Sequence, residues 1–195
     1  MLKLIFKKKY ALHSLKTTHK HKMKSIKTTL AGIVMLLSSL TSIAQQDRPL
    51  HEVYSMMVFN FVKFIQWPPD ETKKEFIIGV MGNSEIYNTL SAWYGGKPKG
   101  NKMYVIKKFT NASEVTDCQV LFIEGNKSNE FEVAKSKLMG KETLLITDHK
   151  GLGAKGSCIN FKLEDEKLRF ELNQRAIEGS KLKVAGALST MAIMI

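Results

Sequence analysis

The sequence predicts an α/β fold of three layers, Rossmann-like in the loose sense: a mostly parallel sheet with helices on both faces and a late antiparallel hairpin. Two observations carry this reading. From Leu50 onward the apolar residues switch repeatedly between helical and strand periods, and strands that alternate with helices build parallel sheets covered on both sides. Near the carboxyl terminus the rhythm changes to two neighbouring alternating runs around Glu164-Asp165-Glu166, which argues for at least one antiparallel strand at an edge.

Leu50 to Gln66 contains no Gly or Pro and runs into Trp67-Pro68-Pro69, so it reads as a helix stopped by proline. Glu75 to Met81 (EFIIGVM) is a short apolar run suited to a strand covered on both faces. Gly82-Asn83-Ser84 then supplies a turn and an N-cap for a helix from Glu85 to Tyr94, which Gly95-Gly96-Lys97-Pro98 breaks. Lys102 to Phe109 reads as a second strand, Asn111 to Asp117 as a loop or helical turn, and Cys118 to Glu124 as a third strand. Ser128 to Met139 is an amphipathic helix ending at Gly140, and Glu142 to Thr147 is the fourth strand. Ser157 to Leu163 and Lys167 to Leu172 form the hairpin. Asn173 opens a final helix on which Ile177, Leu182, Ala185, Leu188 and Ala192 are the expected core positions.

Charge is distributed unevenly. Residues 1–44 carry nine lysines, three histidines and no Asp or Glu, and close on an apolar stretch followed by Ser42-Ile43-Ala44. A basic segment, an apolar segment and a small-x-Ala site together read as a secretory signal peptide, beginning either at Met23 or with a long basic segment from Met1, and with Gln45 the first mature residue. The apolar run is short of the ~20 residues a spanning helix needs. Removing nine of the 30 Lys+Arg leaves 21 against 18 Asp+Glu, so the net charge falls from +12 to +3. That balance leaves no basic stripe for a row of phosphates, which argues against nucleic-acid binding. The remaining 45–195 suffices for a single domain with one core.

Three places could carry chemistry. Gly151-Leu152-Gly153-Ala154-Lys155-Gly156 spells G-x-G-x-x-G, but the residues after it alternate like a strand and provide no helix N-terminus for a pyrophosphate. No cofactor is expected there, and a glycine loop at the rim of the sheet is. Asp148-His149 stands at the carboxyl end of the fourth strand, where open α/β sheets bind ligands. No nucleophile motif or metal-ligand spacing accompanies the pair, so Asp148, His149, Gly151 and Gly153 read as a candidate ligand loop and the protein as a non-enzyme without a metal. The third place is the first helix, whose apolar side chains cover more of its circumference than one sheet face needs. Its aromatic set Phe59, Phe61, Phe64 and Trp67, with Pro68, reads as a partner-binding surface, with a deeply buried core helix as the structural alternative. Cys118 and Cys158 are the only cysteines, and either one disulfide or two buried free thiols fits them.

The motifs FNFVKFIQWP, CQVLFI, LLITDHKGLGAKGSCINF and KLRFELNQRAIEGSKLKVAGALSTMA, in this order and spacing, resemble the YfiR-type periplasmic proteins over roughly Leu50 to Ala192. Trp67 and Pro68 match that family's helix-ending motif, Phe64 its aromatic, and Asn173 the Asn that closes the hairpin. Better-known members carry further cysteines in two intrachain bridges, whereas this chain has Cys118 and Cys158 alone. The resemblance implies a secreted, non-enzymatic regulator that binds the periplasmic sensor part of an inner-membrane diguanylate cyclase and represses cyclic di-GMP synthesis, often as a dimer. Two other functions compete with it: a periplasmic receptor for a small ligand that feeds a membrane sensor kinase, and a hydrolase at Asp148-His149.

Overall fold

A computed structural model describes residues 48–82, 84–165 and 167–195. The expected signal peptide and its cleavage site lie outside the described residues. Arg48–Ile195 forms one compact unit. Its elements are α1 (Leu50–Phe64), β1 (Ile65–Gln66), β2 (Glu75–Met81), α2 (Ser84–Tyr94), β3 (Pro98–Lys99), β4 (Lys102–Phe109), β5 (Val120–Ile123), α3 (Phe131–Leu138), β6 (Leu144–Thr147), β7 (Ile159–Glu164), β8 (Lys167–Leu172), α4 (Gln174–Gly179), β9 (Lys183–Val184), α5 (Gly186–Met191) and β10 (Ile193–Met194). Short 3-10 turns at Ala112–Glu114 and Gly125–Glu130 precede β5 and α3.

The main sheet has the order β10-β8-β7-β6-β5-β2-β4-β3. Pairing is parallel from β4 through β2, β5 and β6 to β7, and β7 and β8 form the antiparallel hairpin expected from the sequence. The edges differ from expectation. β10 returns parallel to β8 and covers it, while β3 folds back antiparallel on β4. Every residue of β5 and β6 is buried, as strands covered on both faces must be, and this explains their unbroken apolar sequences VLFI and LLIT.

Helix α1 ends two residues earlier than its pattern suggests. Ile65 leaves the helix with extended φ/ψ and, with Gln66, pairs antiparallel with β9, in register Ile65↔Val184 and Gln66↔Lys183. The Ala185 N–H donates to the Phe64 carbonyl at 2.8 Å, so the freed end of the helix is closed by the distant chain terminus. The single final helix expected from Asn173 is instead two short helices separated by a strand. Asn173 does cap the first, its Oδ1 accepting from the Ala176 N–H at 3.0 Å. After Gly179, Lys181 turns left-handed (φ 57°) and the chain straightens into β9. Ile177, Leu182 and Leu188 are buried as expected, with Ala185 and Ala192 half-buried.

The core behind α1 is an aromatic cluster. Tyr54 stacks on Phe161 of β7 at 4.7 Å between centroids and tilts against Phe122 of β5 at 5.8 Å. Phe61 lies between Phe161 at 5.7 Å and Phe170 of β8 at 5.0 Å. Each aromatic buries a large apolar area, so α1 is held mainly by rings reaching across three strands.

Candidate functional site: an amino-end cleft

Two ends of the sheet could hold a site. The connections from β2 run first to β4 on one side and then, by way of β5, to β6 on the other, so the reversal of direction falls at the carboxyl ends of β2 and β5. Open α/β sheets bind ligands at such a point. Here two acidic side chains crowd it. Gly82, which follows β2 with φ 145°, leaves room for Glu124, whose Cβ and Oε2 both lie 2.5 Å from where a side chain at position 82 would start. Asp148, after β6, is half-buried beside it, and its Oδ1 is sealed from solvent without a hydrogen-bond partner among the described residues. Burial, and then the Glu124 charge, raise the Asp148 carboxyl to about 6, a shift tempered by the Gly125 N–H and the Tyr54 hydroxyl. Burial and the Asp148 charge likewise push the Tyr54 hydroxyl up to about 12.

The sequence-predicted ligand loop separates into parts. The His149 ring is exposed, with Nδ1 3.2 Å from the Lys150 carbonyl rather than on Asp148. Gly151 is exposed with φ 85°, whereas Gly153 is buried and held: its carbonyl accepts from Asn173 Nδ2 at 2.9 Å, and a Cβ there would collide with Glu171 Oε2. Behind it Thr147 Oγ1 donates to Asn160 Oδ1 at 2.7 Å, and Asn160 Nδ2 donates to Glu171 Oε2 at 2.9 Å. Gly153 of G-x-G-x-x-G therefore lets a buried polar network close against the loop. Among the described residues, no group of three or more His, Cys, Asp and Glu is placed to hold a metal ion.

The aromatic set expected on one interaction surface is also divided. Phe61 is 3% exposed and belongs to the core. Phe59 is half-buried, its ring stacked on Tyr94 of α2 with centroids 3.6 Å apart, and Phe64 is half-buried against the core. Trp67 and Pro68 lie elsewhere, in a half-open cleft of about 1060 Å³ at the amino ends of the strands. Phe76, Cys118, Gln119 and Thr143 contribute to its lining from the starts of β2, β5 and β6. Trp67 packs edge-on against Phe76 at 5.0 Å, and its indole N–H donates to the Gln119 carbonyl at 3.2 Å, a carbonyl that also accepts the Leu144 N–H at 2.9 Å. The side chain of Gln119 reaches across to accept the Ile77 N–H at 2.6 Å.

Charge lines this cleft. Six lysines (Lys73, Lys99, Lys102, Lys141, Lys181 and Lys183) face four acids (Asp70, Glu71, Asp117 and Glu142). Three pairs neutralise one another: Lys73 with Asp70 at 3.4 Å, Lys141 with Asp117 at 2.5 Å and Lys181 with Glu142 at 3.8 Å. Asp70 also accepts from the Thr72 hydroxyl at 2.6 Å, the main reason its carboxyl falls to about 2. Lys102 Nζ donates to the Asp70 carbonyl at 2.6 Å, and Lys99 Nζ stands over the rings of Phe76 at 4.9 Å and Trp67 at 5.9 Å. Burial, and then the Lys102 charge, lower the Lys99 ammonium.

The sequence pattern singles out Trp67 and Pro68 but not the lysines that line the same cleft. Lys99, Lys102 and Lys183 lie on three different strands and share no motif, and only the β1–β9 pairing brings Lys183 to the wall. The disulfide alternative is corrected. Both thiols are free and buried, because β6 lies between the strands that Cys118 and Cys158 precede. Two strand spacings of ~4.8 Å exceed the Cα separation a disulfide allows. Burial pushes the Cys118 thiol up to about 12 and also raises Cys158.

Fold and site together define a three-layer α/β module whose open cleft is at the amino ends of its strands, opposite the usual ligand crevice. The chain matches the sequence model of the DUF4154 family, described as YfiR/HmsC-like, over residues 51–192, and it belongs to that family. Among curated proteins none matches it. No helix among the described residues is long and apolar enough to cross a membrane.

Proposed function

We propose that this protein is a periplasmic, non-enzymatic regulator that binds the periplasmic sensor part of an inner-membrane diguanylate cyclase and represses cyclic di-GMP synthesis. The observation that carries the reading is the family match across residues 51–192, since YfiR/HmsC-like proteins regulate cyclic di-GMP signalling from the periplasm. The basic and apolar leader in residues 1–44 supports export. The cleft supports protein recognition: a tryptophan beside a proline, rimmed by charge, has the composition of an interface anchor.

Deleting the gene in its host and measuring cellular cyclic di-GMP by mass spectrometry tests the reading. The level should rise, and fall again when the full chain is restored. A chain lacking residues 1–44 should fail to lower it. An unchanged level after deletion, or rescue by the leaderless chain, overturns the proposal.

A further inference from the structure

The charge in the cleft specifies more about its occupant than that it is a protein. Among the described residues Lys99, Lys102 and Lys183 pair with no carboxylate, while three other lysines of the same cleft do. Lys99 is the telling one. It is half-buried and held over two aromatic rings, and after burial itself the charge of another cation, Lys102, acts on it. The two rings offset part of the cost of desolvating this ammonium, and a facing anion would offset more. Lys102 has only a backbone carbonyl. Lys183 enters from β9 on the side of the cleft formed by the chain terminus, whereas Lys99 and Lys102 belong to β3 and β4 at the sheet's edge. Cations from these separate elements suit several anionic groups spread along a chain better than one compact anion. The volume of about 1060 Å³ is at the upper limit of small-ligand pockets, and the cleft is half open rather than enclosing.

We propose that the cleft seats an extended, carboxylate-rich segment of the partner protein, with acidic side chains on Lys99, Lys102 and Lys183 and an apolar side chain against Trp67. This rests on the regulator reading above and adds the chemistry of the partner. Opposite charges steer the encounter and fix the register, and the desolvated cation over Trp67 and Phe76 gains most from a carboxylate brought close.

The test uses the mature chain and two fluorescein-labelled ten-residue peptides, one alternating Glu with Leu and the other alternating Gln with Leu, followed by fluorescence anisotropy at low and at physiological salt. The Glu peptide should bind at least tenfold more tightly than the Gln peptide and weaken as salt rises. Lys99→Gln/Lys102→Gln and, separately, Lys183→Glu should each remove most of that preference while circular dichroism shows the fold retained. Equal binding of the two peptides overturns the proposal, as does a Glu preference that survives in all variants. Full displacement of the Glu peptide by millimolar inorganic phosphate overturns it too, because that marks a site for a small anion. In the deletion strain, lysine variants that still lower cyclic di-GMP would sink the acidic-segment inference and leave the regulator reading intact. An unchanged level after deletion itself would sink the regulator reading instead.

Discussion

Asp148 sets a pH dependence that can be read directly. Its carboxyl is raised from 3.8 to about 6 by burial and by Glu124, so the folded state holds this proton more tightly than the unfolded chain does. The associated stability is therefore fully present below about pH 4 and is lost as pH rises toward 6. A rise from 3.8 to about 6 corresponds to ~3 kcal/mol, which partial exposure reduces to about 1 to 2 kcal/mol. Asp148→Asn should consequently be more stable than wild type at pH 7 by about 1 kcal/mol, with the gap closing near pH 4 in urea melts. A gap that widens toward acid would contradict the assignment. The cysteines make a second residue-scale prediction. Because Cys118 and Cys158 are free and buried with raised thiols, reductant should leave the melting temperature unchanged, and both should react with a thiol reagent only after denaturation. A melting temperature that drops in reductant would show a bridge.

At the scale of elements, the aromatics of α1 should divide by position. Phe61→Ala empties a place between Phe161 and Phe170 and should cost about 3 to 5 kcal/mol in equilibrium unfolding, whereas half-buried Phe59→Ala should cost distinctly less. Equal costs would mean that α1 does not present Phe61 to the core as described. The sequence made most elements legible because periodicity is a local signal: EFIIGVM, KMYVIKKF and the Glu164 hairpin all lie where their patterns put them. It misread the two places where a distant strand decides. Ile65-Gln66 continues the helical pattern, and Leu182, Ala185 and Leu188 fit one helix face, yet pairing between β1 and β9 draws Ile65-Gln66 and Lys183-Val184 into strands and leaves Leu188 on a separate short helix. Leu182 and Leu188 are buried as the helical pattern expects, because both arrangements turn them inward, whereas Ala185 is half-buried.

For the whole molecule, the topology explains why the candidate site was only half legible. A parallel sheet suggests a site at its carboxyl ends, where the Asp148 loop stands, but among the described residues Glu124 and Asp148 crowd that end and the cleft beside Trp67 opens at the other. Trp67 could be singled out because its neighbours in sequence mark a helix end. The lysines could not, since their convergence depends on the order of strands β3, β4 and β9. The account's central claim is that regulation acts through this cleft. The most direct measurement is cellular cyclic di-GMP in the deletion strain complemented with Trp67→Ala or with Phe59→Ala, both checked for folding by thermal melting. Each removes a half-buried aromatic, but only Trp67 lines the cleft. The account predicts that the Phe59→Ala chain restores the low level and that the folded Trp67→Ala chain leaves it high; a folded Trp67→Ala chain that restores the low level would contradict it.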